Sequence, residues 1–391
     1  MMYNSKNICE GSMIVYFDNA ASTKVRDEAV DAMLRVMQND YGNPSSAHSL
    51  GLRAAGELAA ARKSVADALG AETDEVYFTS GGTESANWAV FGLAEACMRR
   101  GKHIITSAVE HDAVYMSAKK LEDMGWIVTY LMPDSAGRIT ADSFASALRE
   151  DTAFASIMHV NNETGAENPV SEYSKEIKRR KLETLLHMDA VQSFCKISFT
   201  VKSLGADMLT ISAHKIHGPK GVGALYVKNG INLPPLLFGG GHERGKRSGT
   251  EALPSIAGFG AAAHLCRLEM KNTAALVRNL RDLAVNRLKA EIPEALIIGE
   301  GDSPFLLSIS LPGHKSEVLM SFLDGEGICV SKSAACKKGS RSRVLEAMRL
   351  KNDVIDGAIR VSFSRTNTHG EVEYFVNALK RASASLIKAP R

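Results

Sequence analysis

Only six cysteines occur in the 391 residues, Cys9, Cys97, Cys195, Cys266, Cys329 and Cys336, and no two of them make a C-x-x-C pair. That scatter argues against a zinc site and against a disulfide framework, so no metal is expected, and it suits a reducing compartment. Excess charge is missing too. Lys and Arg number 47 against 44 Asp and Glu, a formal net charge of +3, which is too little to make nucleic acid a direct partner. No run approaches the roughly 18 apolar residues of a membrane span. The opening stretch MMYNSKNICEGSM has no apolar core of the signal-peptide kind. A cytoplasmic chain without a membrane partner is therefore expected. Internal repeats and low-complexity segments are also lacking.

What is present is ordinary globular composition, 45% hydrophobic and 23% charged. The length suits one large and one smaller domain. Short apolar runs alternate with helical patterns. EVYFTS (75–80), HIITS (103–107), WIVTYL (126–131), AFASIMHV (153–160), TLLHMDA (184–190) and DMLTIS (207–212) read as strands. Helical stretches such as 47–69, 84–100 and 172–181 lie before and between them. Continuous apolar strands separated by helices predict an α/β fold, a mostly parallel sheet covered on both faces. After Gly249 the texture changes. Residues 253–288 read as one or two long helices, followed by the separated strands FLLSIS, GICVS and AIRVSFS. We expect a large domain over 14–264 and a smaller α+β domain built from 1–13 and 265–391.

Ligands in open α/β sheets sit at the carboxyl ends of strands, so the residues after each strand matter most. GGTES follows the first strand. Gly81 and Gly82 permit close approach, and the helix start with the Thr83 hydroxyl can cradle an anion, although a plain turn capped by Thr83 would look the same. His111 follows the second strand in AVEHDAV. Asn161 and Asn162 follow SIMHV. Asp189 and Gln192 follow LLHM, where Asp189 could equally be a helix cap. Ser212, His214 and Lys215 follow DMLTI. Together these supply an anion cradle, a ring, a carboxylate, amides and a lysine. A phosphate-bearing, cationic heteroaromatic aldehyde needs that set: the lysine for the imine, the carboxylate for the ring nitrogen. That cofactor is pyridoxal 5'-phosphate.

YFDNAAST, GNPSSAH, FTSGGTESANWAV, KHIITSAVEHDAV, SIMHVNNETG, HMDAVQS, SAHKIHGPKGVGALYV and GGGHERGKRSGT occur in this order. The chain closely resembles the cysteine desulfurases, pyridoxal-phosphate enzymes of the class V aminotransferase group with fold type I, from about residue 15 to beyond residue 365. The resemblance implies a seven-stranded-type large sheet and a role for each matched position. Lys215 is the Schiff-base lysine and His111 stacks on the ring. Asp189 pairs the pyridinium nitrogen, and Gln192 faces the ring hydroxyl. Gly82, Thr83, Ser212 and His214 hold the phosphate. Thr250 in RSGT reaches the phosphate of the other subunit, so a homodimer is implied. Asn162 and Arg360 bind the substrate carboxylate, a task suited to a planar guanidinium.

VSKSAACKKGSRSRVL resembles the family's active-site loop, with Cys336 in the place of the persulfide-forming cysteine. Lys337, Lys338, Arg341 and Arg343 follow, and local positive charge lowers a thiol pKa; an inert surface cysteine before a solvated basic helix is the plainer reading. The implied activity is a sulfurtransferase: L-cysteine gives L-alanine and a persulfide on Cys336, which passes sulfur to an acceptor protein, an iron–sulfur scaffold in cluster assembly or a thiolation protein. Alternatives on the same fold are a selenocysteine lyase or an aminotransferase, which need no Cys336. A partner-dependent sulfur-carrier subunit is a further one. The loop after Cys336 is a residue or two shorter than in the branch that SAHKIHGPKG resembles, and its basic character suits an acidic acceptor surface.

Overall fold

The computed structural model describes residues 14–332 and 341–387. The described chain opens with β1 (Val15–Tyr16). Seven strands follow: β2 (Val76–Thr79), β3 (His103–Ser107), β4 (Ile127–Leu131), β5 (Thr152–Met158), β6 (Leu185–Asp189), β7 (Met208–Ser212) and β8 (Gly223–Val227). They form one sheet in the order β2-β8-β7-β6-β5-β3-β4. Six of them match the strands expected from the sequence. β8 was not expected; it lies in GVGALYV, directly behind the loop that carries Lys215. A connection that short cannot cross over the sheet, so β8 pairs antiparallel with β7, and also with β2. Every other neighbouring pair is parallel. The carboxyl ends of β2, β3, β5, β6 and β7 therefore share one edge, and the loops that leave them supply the site.

Both faces of the sheet are covered. β5, β7 and β8 are buried at every residue, as continuous apolar strands require. One face packs on Ile256, Phe259, Ala262 and the helix Ser49–Leu69. Gly70 ends that helix in the left-handed region at φ 66°, the stop expected there. The other face packs on Trp88, Leu93 and Leu121.

A single helix, Leu253–Glu291, spans 39 residues. Its first half belongs to the core of the large sheet. Its second half, with Val277, Leu280, Ala284 and Leu288, belongs to a separate core that also takes in Val15 and Phe17. That core backs an antiparallel sheet built from β9 (Leu296–Ile298), β10 (Leu306–Ser310), β12 (Ser331–Lys332) and β13 (Ala358–Ser362), in the order β12-β13-β10-β9. β11 (Ile328–Cys329) pairs with β1. The segment from Phe17 to Thr23 runs between the two sheets. Ser362 N donates to Phe17 O at 2.7 Å, and Thr23 N donates to the carbonyl of His214 at 2.9 Å. Among the described residues, no helix is long and apolar enough to cross a membrane.

One buried ion pair closes the outer edge of the large sheet. Arg62 forks onto Glu243 at 2.7 and 2.8 Å, and the same carboxylate accepts the Phe78 N–H of β2 at 2.9 Å. Removing one partner leaves an uncompensated charge inside the protein. Glu243→Ala is therefore expected to cost about 3–5 kcal/mol, read as a lower midpoint in urea unfolding with an unchanged slope.

Candidate active site

The turn Ala213–Lys215 follows β7 directly and sets Lys215 against the Phe17–Thr23 segment. Lys215 Nζ donates to the carbonyls of Ala20 and Ala21 at 2.6 and 2.8 Å. Burial and then the charge of Arg360 bring its pKa down to about 8, while Asp18 and Asp189 oppose them. A lysine in such surroundings gives up its proton near neutrality.

Asp189 closes β6 and is 6% exposed. Its side chain accepts one hydrogen bond, from Val191 N at 2.9 Å, and among the described residues no basic group forms an ion pair with it. Burial raises its pKa, and His111 and Lys215 act against that. A buried carboxylate without an ion-pair partner among the described residues is poised for a cationic ligand. Gln192 is buried on the next turn and donates through Nε2 to Ala20 O at 2.9 Å.

Gly82 begins the helix Gly82–Ala96, and Gly81 before it has φ 153°. A Cβ on Gly82 would lie 3.0 Å from Val191 and 3.7 Å from Ser212, so the helix start, the Asp189 turn and the end of β7 converge. Thr83 stands exposed on the first turn. His214, beside Lys215, has a pKa lowered to about 4 by burial and then by Lys215, Lys220 and Lys196, which keeps it a neutral donor. His111 is exposed and caps the helix Asp112–Asp123, its Nδ1 accepting from Ala113 N.

β13 carries Arg360 to the same place. It is 2% exposed. Nη2 pairs with Asp18 at 3.1 Å and Nη1 donates to the carbonyl of Asn162 at 2.8 Å, while Nε has no partner among the described residues. A buried guanidinium with an idle donor is suited to an incoming carboxylate. Asn162 meets Arg360 through its backbone, not its carboxamide. Thr250 lies exposed, and among the described residues no hydrogen bond ties it to the others; Arg247 in the same loop pairs with Glu84 at 2.8 Å beside Thr83. Cys336 lies outside the described residues, as do Lys337 and Lys338.

Several participants had no role in the sequence reading. Asp18 and the Ala20 carbonyl sit in YFDNAAST. Glu163 in NNETG accepts from Ser342, the residue that caps the helix Arg343–Ala347. Arg343 donates to Ala108 O, to Glu110 O at 2.6 Å and to Asp112 at 3.1 Å, and lies 3.7 Å from the Tyr115 ring centroid. Arg341 pairs with Asp356 at 2.8 Å. Two of the four basic residues expected to act on Cys336 are thus committed to carboxylates.

Glu110 is buried beneath this turn. Its Oε1 accepts from Ser107 Oγ at 2.5 Å and Met158 N at 3.1 Å, and Oε2 has no partner among the described residues. Burial raises its pKa to about 8. The folded state therefore holds a proton that the unfolded state releases above its ordinary value, and stability falls as pH rises from about 4.5 to 8. Glu110→Gln is expected to raise the melting temperature at pH 8, by an amount equivalent to a few kcal/mol, and to raise it much less at pH 5. Thermal melts at the two pH values check this.

Residues 15–375 match the family model described as Aminotransferase class-V. A curated relative, the cysteine desulfurase IscS of Methanosarcina thermophila, is 40% identical over 372 residues, covering 94% of this chain and 91% of the relative. A solved NifS-like protein superposes with a TM-score of 0.91 at 38% identity, covering 96% of this chain and all of that one. A structure of SspA in complex with cysteine superposes at 0.78 with 32% identity, covering 90% of this chain and 100% of that one. Pyridoxal 5'-phosphate is the cofactor, and the site fits it: a glycine-lined helix start, a buried carboxylate that no cation yet meets, and a lysine near its deprotonation point. The agreement covers the α/β fold, its largely parallel seven-stranded sheet and the loops at the sheet's carboxyl edge, and with it the chain belongs to the cysteine desulfurases of the class V aminotransferase family.

Proposed function

We propose that this chain takes the sulfur of L-cysteine, releases L-alanine and holds the sulfur as a persulfide on Cys336. The observation that carries the reading is the convergence of Lys215, Asp189 and Arg360 from β7, β6 and β13 on one point. Arg360 has an unpartnered Nε to offer the substrate carboxylate, and the Asn162 carbonyl steadies its plane. Asp189 would pair the ring nitrogen. Gly82, Thr83, Ser212 and His214 would receive the phosphate, with Thr250 coming from a second subunit. His111 would cover the ring. Bound there, pyridoxal phosphate supplies an electron sink for breaking the Cα–H bond.

Lys215 acts as base at Cα, since its neutral amine is accessible near pH 8. The Cys336 thiolate attacks the substrate sulfur. The new S–S bond forms as the C–S bond breaks, the electron pair stays with carbon, and a proton there completes L-alanine. The persulfide is then open to an acceptor thiol, on an iron–sulfur scaffold or a thiolation protein, whose acidic surface would suit Lys337 and Lys338. Phe238, 84% exposed, and Leu237, 40% exposed, neighbour the Thr250 loop, and a homodimer would cover them. A cytoplasmic location agrees with thiol chemistry.

The test is product stoichiometry. Given L-cysteine and a reducing thiol, the protein should release alanine and sulfide in equal amounts. Pyruvate and ammonia in place of alanine, or alanine without sulfide, would overturn the reading.

A further inference from the structure

One buried ionisable side chain has no part in that scheme. Lys196 follows Gln192 by one helical turn and is buried. Its Nζ donates to Gln192 Oε1 at 3.0 Å. Gln192 Nε2 donates to the Ala20 carbonyl at 2.9 Å, and Lys215 Nζ reaches the same carbonyl at 2.6 Å. Lys196, Gln192, Ala20 and Lys215 thus form one continuous chain of hydrogen bonds. The ends of that chain dictate its direction. A carbonyl only accepts, so Ala20 must meet the amide nitrogen; that leaves the amide oxygen to Lys196, whose amine donates to it whether charged or neutral, burial and Lys215 having brought its pKa down to about 7. Turning the carboxamide over would set acceptor against acceptor at Ala20, and donor against donor at Lys196 whenever its amine is protonated. Among the described residues the second N–H of Nε2 has no hydrogen-bond partner. Lys196 also lines the small cavity behind Lys215, with Thr23, His217 and Phe305, and its Nζ lies 5.8 Å from the Phe305 ring centroid.

We infer that Lys196 is a positioning residue: it locks the Gln192 carboxamide so that its NH2 end, and not its oxygen, is presented beside Lys215 to the cofactor. The inference rests on the reading of this site as the pyridoxal-phosphate site. Lys215 itself faces Arg360, Asp18 and Asp189, with His214 adjacent. Lys196 also repels Lys215 directly; the other four groups stay in place when Lys196 is changed, so a shift in the titration of the lysine-bound cofactor reports on Lys196, through its charge and the amide it holds.

The experiment compares the purified holoenzyme with Lys196→Met and Lys196→Arg. The readouts are the pH midpoint of the cofactor's absorbance, and kcat and KM for L-cysteine. The methionine variant should move the midpoint upward by roughly one pH unit. It should lower kcat about tenfold with KM within about twofold. The arginine variant, which keeps a charged donor, should restore the midpoint. If the methionine variant does not fold, Lys196→Thr, too short to reach Gln192, is read in the same way. A wild-type midpoint and kcat in the variant lacking the donor overturn the role of Lys196 alone. Absence of any lysine-bound absorbance in the wild-type protein overturns the cofactor site itself, and the inference with it.

Discussion

Lys215→Ala should abolish alanine release from L-cysteine, a loss of at least about a thousandfold, and should erase the absorbance of lysine-bound cofactor while leaving the fold intact. The reason lies in how the amine is held. Two carbonyls, of Ala20 and Ala21, take hydrogen bonds from Nζ at 2.6 and 2.8 Å. A neutral amine has two N–H bonds and one lone pair, so it can serve both carbonyls and keep the lone pair free for bonding or for taking a proton. Burial and Arg360 make that neutral form accessible near pH 8, and Asp189 keeps the opposing charge close without contact. Alanine leaves the two carbonyls to water and removes the base placed there. The measurement is alanine release together with a spectrum of the purified variant. A partial return of activity on adding a small primary amine would show that the rest of the site is intact. Retention of more than about a tenth of wild-type turnover would remove Lys215 from its assigned place.

The large sheet was legible because its strands are continuous apolar runs separated by helices, and such runs fit only a strand buried on both faces. HIITS was located to the residue, and the others to within about two residues. β8 was missed because its five residues follow a Gly-Pro-Lys-Gly loop without a helix between, so the strand–helix alternation that marks the other strands does not reach it. The site was legible where chemistry forces residue type: a lysine after a strand, a carboxylate after another, glycines at a helix start. It was not legible where a backbone atom does the work. Nothing in the letters Ala20 and Ala21 says that their carbonyls hold an amine, because that depends on the segment from Phe17 to Thr23 being threaded between two sheets. Lys196 could have been found, since Gln192 and Lys196 are four apart and so share one face of a turn. Arg360 was located by resemblance, but its partner Asp18 is 342 residues away in sequence, and no local pattern reports such a distance.

The same limit applies to the residues after Cys336. A run of positive charge invites the reading that all of it bears on the thiol. Tertiary contacts divide the run. Arg341 goes to Asp356, which also holds Lys315 at 2.6 Å. Arg343 turns onto the Ala108–Asp112 segment, and its neighbour Ser342 is taken by Glu163. These contacts root the far end of the Cys336 segment on the turn that presents His111. On the near side, Lys332 pairs with Glu317 at 2.6 Å. Both flanks of the segment are therefore held by ion pairs.

Cys336→Ala should keep the lysine-bound cofactor spectrum and lose sulfur transfer by at least about a thousandfold. Lys215, Asp189 and Arg360 do not depend on the thiol, so substrate should still bind. What disappears is the atom that accepts sulfur, and among the described residues no other cysteine can replace it. Cys195 and Cys266 have thiols that burial pushes up, the latter to about 11, and Cys97 is buried in the core behind β3. Cys329 sits on β11 with its thiol also raised by burial. Only a thiolate attacks, so these four are inert at neutral pH. With Arg341 and Arg343 committed to carboxylates, the expectation that neighbouring positive charge lowers the Cys336 thiol rests on Lys337 and Lys338. Neutralising both should move the pH midpoint of Cys336 alkylation upward, by up to roughly one unit, with sulfur transfer at pH 7 falling in proportion to the lost thiolate. The decisive measurement incubates wild type and Cys336→Ala with sulfur-labelled L-cysteine and no reductant. Wild type should retain one labelled sulfur on Cys336, releasable by a thiol, and the variant none. Label on the variant at another cysteine would transfer the persulfide to that residue and leave Cys336 without a catalytic part.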